Sequence, residues 1–340
     1  MTSSTGTPHW RGSRPDISTQ RAGTPGPVKS LLQDLRRHGL PPIDKPHRLS
    51  VWSVALWLMF VDVMWALLAG FRVTRASIIS TIVVVAVFAS PLLIRRARAR
   101  AEVRETLLTV TGLLVFAPIN IMLSYLMLAL APPTIDDQLA AIDAALGFDW
   151  AAVAHWVHAH PWLDAVFWWS YRSAILQILV LVIVLGATGR HRQLREFNAL
   201  FIVGGVFCVL FSALAPAFGP WHAAPAAPFD ASAVSHFESL RDGSLRLIDL
   251  SAMQGLVSMP SFHTMGAVFF AYSMRGVWGW APLYSLLNLL MVASTPTEGG
   301  HYLADVLAGG CVALAMIALW RSEFLSSKNA SHAHARVAAR

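Results

Sequence analysis

Two short stretches of this sequence hold side chains that can move protons or attack phosphorus. One is His301-Tyr302-Leu303-Ala304-Asp305. Its histidine and aspartate are four apart, a spacing that puts two side chains on one helix face. A carboxylate so placed can hold an imidazole N–H, orient the ring and sharpen the other nitrogen as a nucleophile. The other stretch is Met259-Pro260-Ser261-Phe262-His263. Proline suits a first helical turn, and a neighbouring serine can bond the free N–H groups of a helix start. Those N–H groups and the helix dipole also draw phosphate, and His263 adds a second imidazole there. Taken singly, the stretch with His263 is equally a helix cap with an interfacial histidine. For the stretch with His301 the lesser alternative is a structural His–Asp pair tying helices together.

The elements that must position these residues are membrane helices. The 340-residue chain is 55% hydrophobic and 13% charged, with a mean hydropathy of +0.54, whereas soluble domains carry about 25% charged residues. Eight apolar segments are long enough or nearly long enough to cross a bilayer, which takes ~20 residues as a helix. They run over roughly 51–71, 76–94, 106–131, 163–186, 198–217, 261–280, 282–296 and 300–320. The expected fold is all-α and polytopic. Two accessory helices (51–95) precede a six-helix catalytic core (106–320), between cytoplasmic tails at 1–50 and 321–340. Within the first tail, which reads as disordered, Val28 to Leu40 has the spacing of a short amphipathic helix.

Charge sets the orientation. Basic residues crowd the N-terminal tail, the run Arg95 to Arg104, the loop with Arg190, Arg192 and Arg195, and the C-terminal tail. Between Arg104 and Arg172 there is no Lys or Arg, while Asp136, Asp137, Asp143, Asp149 and Asp164 fall there. By the positive-inside rule both termini are cytoplasmic. The loops Asp136 to Trp162, Phe218 to Pro260 and Ser294 to His301 then face outward, and they hold nearly all the unusual polar residues. Within them, Ile142 to Val157 is expected to form an amphipathic helix with Phe148, Trp150, Val153 and Trp156 toward lipid. Trp156, Trp162, Trp168 and Trp169 read as an interfacial belt. The net charge of +7 follows topology and does not point to nucleic acid. Cys208 and Cys311 lie in apolar runs and support neither a disulfide framework nor a zinc site. No metal or other cofactor is expected, and His155, His158 and His160 read as a wet interfacial cluster.

Jointly the two stretches resemble the type 2 phosphatidic acid phosphatase superfamily, whose signature includes Pro-Ser-x-His and a later Ser-Arg-x5-His-x3-Asp. The matching residues are Pro260, Ser261 and His263, then Ser294, His301 and Asp305. Further likenesses are Gly147-Phe148-Asp149-Trp150, Tyr171 with Ser173 and Gln177, Pro216 with Gly219-Pro220, and Leu240-Arg241-Asp242-Gly243. These are similar to the branch containing inositol phosphorylceramide synthases and their bacterial relatives. The resemblance implies that His301 attacks phosphorus and becomes a phospho-histidine while Asp305 orients it. His263 would protonate the leaving alkoxide and then deprotonate water or an acceptor alcohol such as inositol. It further implies a lipid phosphate or phospholipid substrate and a bacterial plasma membrane, with the site on its outer face.

Two departures matter. Thr295 stands where the superfamily has Arg after Ser294, and there is no Lys-x6-Arg-Pro. Transferring phosphate needs compensating charge, for which Arg241 and Arg246 in the outer loop are the leading candidates and Arg172 the third. Arg172 has an alternative use in pairing with Asp62. Ser261, Ser294 and Thr295 complete the expected phosphate-binding set. Two readings from other classes compete: a transporter with a proton relay through Asp62, Arg172 and the outer histidines, and a membrane cytochrome ligated by His263 and His301.

Overall fold

The computed structural model describes residues 51–338, apart from the side chains of Arg98, Ala233 and the residues beyond Ser322. The expectations for the N-terminal tail and its amphipathic helix lie outside the described residues. The fold is almost wholly helical. Helix α1 (Val51–Leu68) leads through a two-residue strand β1 (Arg72–Val73) to α2 (Arg75–Ala89). A short α3 (Arg95–Ala99) precedes the long α4 (Ala101–Leu128). Three shorter helices follow, α5 (Asp136–Ala145), α6 (Trp150–His158) and α7 (Pro161–Arg172). Next come α8 (Ala174–Ala187) and α9 (His191–Leu214). A loop region carries α10 (Pro220–Ala223), α11 (His236–Arg241) and strand β2 (Leu247–Ile248). The chain ends with α12 (Phe262–Ser273), α13 (Trp280–Gly299) and α14 (Leu303–Ala338).

Among the described residues, five helices are long and apolar enough to cross a membrane: α1, α2 with its 3-10 extension, α4, α9 and the first part of α14. The pair α7 and α8, bent by 53° around Ser173, makes a sixth if counted as one broken span. The expected eight are thus not all long, uniform spans. Helix α12 has 12 residues, about 18 Å at the usual rise, against a hydrocarbon core of about 30 Å. Helix α13 has 20 residues, but its last two turns hold the polar run from Ser294 to Glu298. That run was expected to be a loop. It stays helical because Ser294 and Thr295 donate their hydroxyls back to Met291 O at 2.9 and 2.7 Å, around the break that Pro296 makes in the helix ladder.

Buried aromatic and aliphatic side chains from α1, α4, α8, α9, α12 and α13 make the main core, with Phe116, Phe197 and Phe270 at its centre. Many outward-facing residues of α1 and α2 are large and apolar, among them Trp57, Phe60, Leu67, Ile79 and Val87. This is the surface of helices facing lipid.

The loops sort to two ends. At one end, the connections after α1, α4 and α9 and the one between α13 and α14 are knitted together. Strands β1 and β2 pair in parallel, with Arg72 opposite Leu247. Asp136 accepts from the N–H groups of Phe218 and Gly219 at 3.1 and 3.0 Å and from the Tyr302 hydroxyl at 3.2 Å. The expected single amphipathic helix over Ile142 to Val157 is broken at Gly147, whose φ of 72° suits glycine. Trp150, expected toward lipid, is instead buried and donates its indole N–H to Pro296 O at 2.8 Å. At the other end, Arg190 donates to Gly276 O at 2.7 Å and Arg195 pairs with Glu105. Buried Glu196 takes both the Tyr272 hydroxyl and Arg275.

Candidate active site

The two expected motifs meet at the knitted end. Ser261 N–H donates to the backbone oxygen of Asp305 at 3.1 Å, joining the start of α12 to the first turn of α14. Ser261 caps α12, its hydroxyl accepting from Thr264 N–H at 3.4 Å, and Pro260 precedes the cap instead of entering the first turn. His263 follows on that first turn. Its Nδ1 is hydrogen bonded to the Tyr171 hydroxyl at 3.1 Å, and the two rings stack with centroids 4.1 Å apart.

His301 and Asp305 do interact, but not as two residues on one helix face. Helix α14 begins only at Leu303, so His301 lies before it and Asp305 in its first turn. The approach is made by Gly300, which ends α13 in the left-handed conformation (φ 62°) and lets the N–H of His301 reach Pro296 O. His301 Nδ1 then lies 3.3 Å from Asp305 Oδ2. That same oxygen accepts from the Ser258 hydroxyl at 2.8 Å and from Tyr302 N–H at 3.2 Å. Asp305 is fully buried, and its Oδ1 has no protein partner. The start of α14 is held by a carboxylate from another element: Asp143 on α5 accepts from Leu303 and Ala304 N–H at 2.8 and 2.9 Å. Burial raises the Asp143 carboxyl above its usual range, and these two backbone bonds partly offset that rise.

Tyr171 holds the His263 imidazole and lies near that of His301. Any side chain at Gly299 would collide with the Tyr171 hydroxyl and with Cδ2 of His301, each 2.7 Å from the position a Cβ would take. Glycine there lets α7 and the end of α13 close on each other, so the tyrosine stacked on His263 also sits beside His301. Both histidines line one cavity of about 420 Å³, within the range of small-molecule sites. Its polar end holds Tyr171, Arg172, Ser258, Glu298 and the two histidines, while Phe116, Phe201 and Val209 supply an apolar wall.

The arginines divide differently from the sequence expectation. Arg172 lines the cavity, pairs with Glu298 at 3.1 Å and stacks over Trp168. It does not pair with Asp62, whose two carboxylate oxygens are buried without a protein partner. Arg241 is engaged outside the lining: its guanidinium donates to Pro132 O at 2.7 Å and lies 5.9 and 5.7 Å from the ring centres of Phe218 and Phe237. Arg246 packs over Phe71 and bonds the backbone oxygens of Leu240 and Leu245. Neither lines the cavity. Ser294 and Thr295 are fully buried, their hydroxyls returned to the helix backbone, and they too stand apart from the lining. Ser258 and Glu298 were missed as site residues; each is an ordinary residue in sequence whose placement depends on the tertiary fold. The histidines of α6 and the turn after it are engaged locally, His160 with Trp156 O at 2.6 Å and His158 with Asp164 at 3.5 Å. Among the described residues, no group of three or more His, Cys, Asp or Glu side chains is placed to hold a metal ion.

Comparison with known proteins agrees with this geometry. No curated protein and no solved structure matches the chain. A family model described as the PAP2 superfamily matches residues 137–319, a stretch that contains both histidines, Asp305, Tyr171 and Arg172. That match covers more than half of the sequence, and the chain belongs to the PAP2 superfamily.

Proposed function

We propose that the protein is an integral-membrane lipid phosphatase or phosphotransferase, working at the outer face of the bilayer through a phospho-histidine on His301. The observation that carries this reading is the engagement of both imidazoles on one side only. Asp305 takes Nδ1 of His301 and Tyr171 takes Nδ1 of His263, which leaves each ring its Nε2 in a residue that lines the cavity.

The chemistry balances on these residues. With its Nδ1 proton on Asp305, His301 carries a lone pair on Nε2, which forms the N–P bond as the P–O ester bond breaks. The departing oxygen takes the bond's electrons and a proton from His263. In the second half, water or an alcohol gives its proton to His263, its oxygen bonds to phosphorus, and the N–P bond breaks. Water as acceptor makes a phosphatase, and an alcohol such as inositol makes a transferase. Asp305 balances the positive charge on the phosphorylated ring in both halves. Arg172 is the cation among the described lining residues and takes the phosphate oxygens. The apolar wall of the cavity suits a substrate with acyl chains, and the basic loops at the far end favour an outward-facing site.

One experiment tests both the intermediate and its side. A labelled, short-chain, membrane-impermeant phosphate ester is added to sealed vesicles of known orientation, followed by a denaturing alkaline quench. An acid-labile, base-stable adduct is expected on the native protein in right-side-out vesicles and not on His301→Ala. Adduct on the His301→Ala protein would remove the nucleophile, and adduct confined to inside-out vesicles would reverse the face.

A further inference from the structure

The charges inside the cavity carry information about the headgroup, given the phosphoryl-transfer reading above, on which this inference rests. Arg172 does not stand alone as a phosphate receptor. It is held 3.1 Å from Glu298, and both line the same cavity as His263 and His301. Glu298 is the more enclosed of the two, its side chain 11% exposed against 40% for Arg172. It sits three residues before His301, and Arg172 follows directly on Tyr171, so the ion pair spans the two elements that support the two imidazoles. Asp230 lies within electrostatic reach of Arg172 as well.

Paired with each other, Arg172 and Glu298 cancel in charge. A phosphate monoester, carrying close to two negative charges, would meet that neutral pair in a partly dry site, beside a carboxylate that repels it. A phosphodiester brings a single negative charge. If its headgroup also carries a positive charge, phosphate and headgroup together match the pair already in the cavity, each replacing one partner of the other. Phe229, stacked on Trp221, also lines the cavity and packs against Gly300, and aromatic side chains are common partners of organic cations.

We infer that Glu298 is a specificity-determining residue that receives an ammonium headgroup, and that the site takes a zwitterionic phosphodiester lipid with its phosphate on Arg172. The ion pair seen in the structure is then the substrate-free arrangement, opened by a ligand that satisfies both partners at once. A neutral polyol headgroup leaves Glu298 without a charge partner once Arg172 turns to phosphate.

Binding can be read without turnover. Detergent-purified His301→Ala protein is given equimolar phosphatidylethanolamine, phosphatidylglycerol, phosphatidylinositol and phosphatidic acid with identical acyl chains, and bound lipid is counted by native mass spectrometry. Phosphatidylethanolamine is expected to exceed each of the others by ~10-fold, the size of one charge-assisted contact. Adding Glu298→Gln should erase most of that preference, and adding Glu298→Asp should retain part of it, which separates lost charge from lost folding. Equal binding, preference for phosphatidic acid or phosphatidylinositol, or an ethanolamine preference that survives Glu298→Gln would each overturn the inference. The adduct experiment above is a separate readout: its failure removes the phospho-histidine reading, whereas failure here removes only the headgroup assignment.

Discussion

The two ends of this helical bundle both bury charge, and they treat it in opposite ways. At the arginine-rich end, the two oxygens of Glu196 are matched by the Tyr272 hydroxyl and the Arg275 guanidinium, and the Tyr272 oxygen in turn accepts from Arg321 at 2.9 Å. At the histidine end, one oxygen of Asp305 gathers Ser258, Tyr302 and His301 while the other has no protein partner. Each imidazole of the candidate site is likewise held through Nδ1 alone. A network whose hydrogen-bonding capacity is filled fixes helices against each other. One that orients its members and leaves capacity open, beside a cavity, is arranged to receive something else. The contrast separates a structural cluster from a chemical one more clearly than residue type does, since both ends use arginine, tyrosine and carboxylate.

The sharpest way to break the comparison is to remove one carboxylate from each end. Asp305→Ala should lower turnover by ~10³- to 10⁴-fold, as loss of an orienting carboxylate does in hydrolytic triads. Its thermal unfolding in detergent should change less than that of Glu196→Ala. Glu196→Ala takes the carboxylate from a largely buried Arg275 guanidinium, and breaking such a pair costs about 3–5 kcal/mol, while the folded fraction keeps near-normal turnover. If Glu196→Ala abolishes activity without loss of stability, the two ends do not differ in kind.

The arginines sharpen the contrast within the histidine end. Arg172→Ala should reduce turnover by ~10²-fold, the scale of losing one charge contact to a developing transition state, with Arg172→Lys recovering a small part. Arg241→Ala should instead act on the loop. It removes the bond to Pro132 O and the packing beside Phe218 and Phe237, so stability falls and turnover at saturating substrate stays within a few-fold, by the usual cost of a lost buried hydrogen bond. Steady-state rates and melting curves on the two variants check both. A near-complete loss of turnover in Arg241→Ala with an unchanged melt would return it to the site.

What was legible in the sequence follows physical reach. The His301–Asp305 pair, the Ser261 cap and the membrane class are written in spacings of a few residues and in composition, and the structure contains all three. Cations could not be assigned that way. Arg241 lies nearer to His263 in sequence than Arg172 does, yet Arg172 reaches the cavity because α7 bends at Ser173 and packs against the end of α13. The polar run from Ser294 to Glu298 looked like a loop because hydroxyls that bond back to their own helix are invisible in a hydropathy pattern. Once it is helical, Glu298 is carried into the cavity instead of onto an exposed turn. Trp150 looked lipid-facing because a buried indole needs one specific acceptor, here Pro296 O, from a segment 146 residues away.

The smallest effect expected of a residue lining the cavity concerns Tyr171, which holds the His263 imidazole. Its hydroxyl bonds Nδ1 of His263, its ring stacks on that imidazole, and glycine at position 299 leaves just enough room for it beside His301. It touches the acid–base and not, on this reading, the phosphorus, so it acts as a positioning residue. Tyr171→Phe keeps the stacked ring and removes only the hydrogen bond. Turnover should then fall by ~10-fold, in keeping with one hydrogen bond, while KM changes little because the cavity keeps its shape. Tyr171→Ala removes the stack as well and should cost considerably more. The readout that distinguishes positioning from simple packing is the pH profile. Without the hydroxyl the His263 ring loses its fixed orientation and tautomer, so the limb of the kcat profile governed by His263 should move in Tyr171→Phe while the melting temperature stays near that of the native protein. A Tyr171→Phe variant with a native pH profile and a lowered melt would make the tyrosine structural, and would leave His263 oriented by its place on α12 alone.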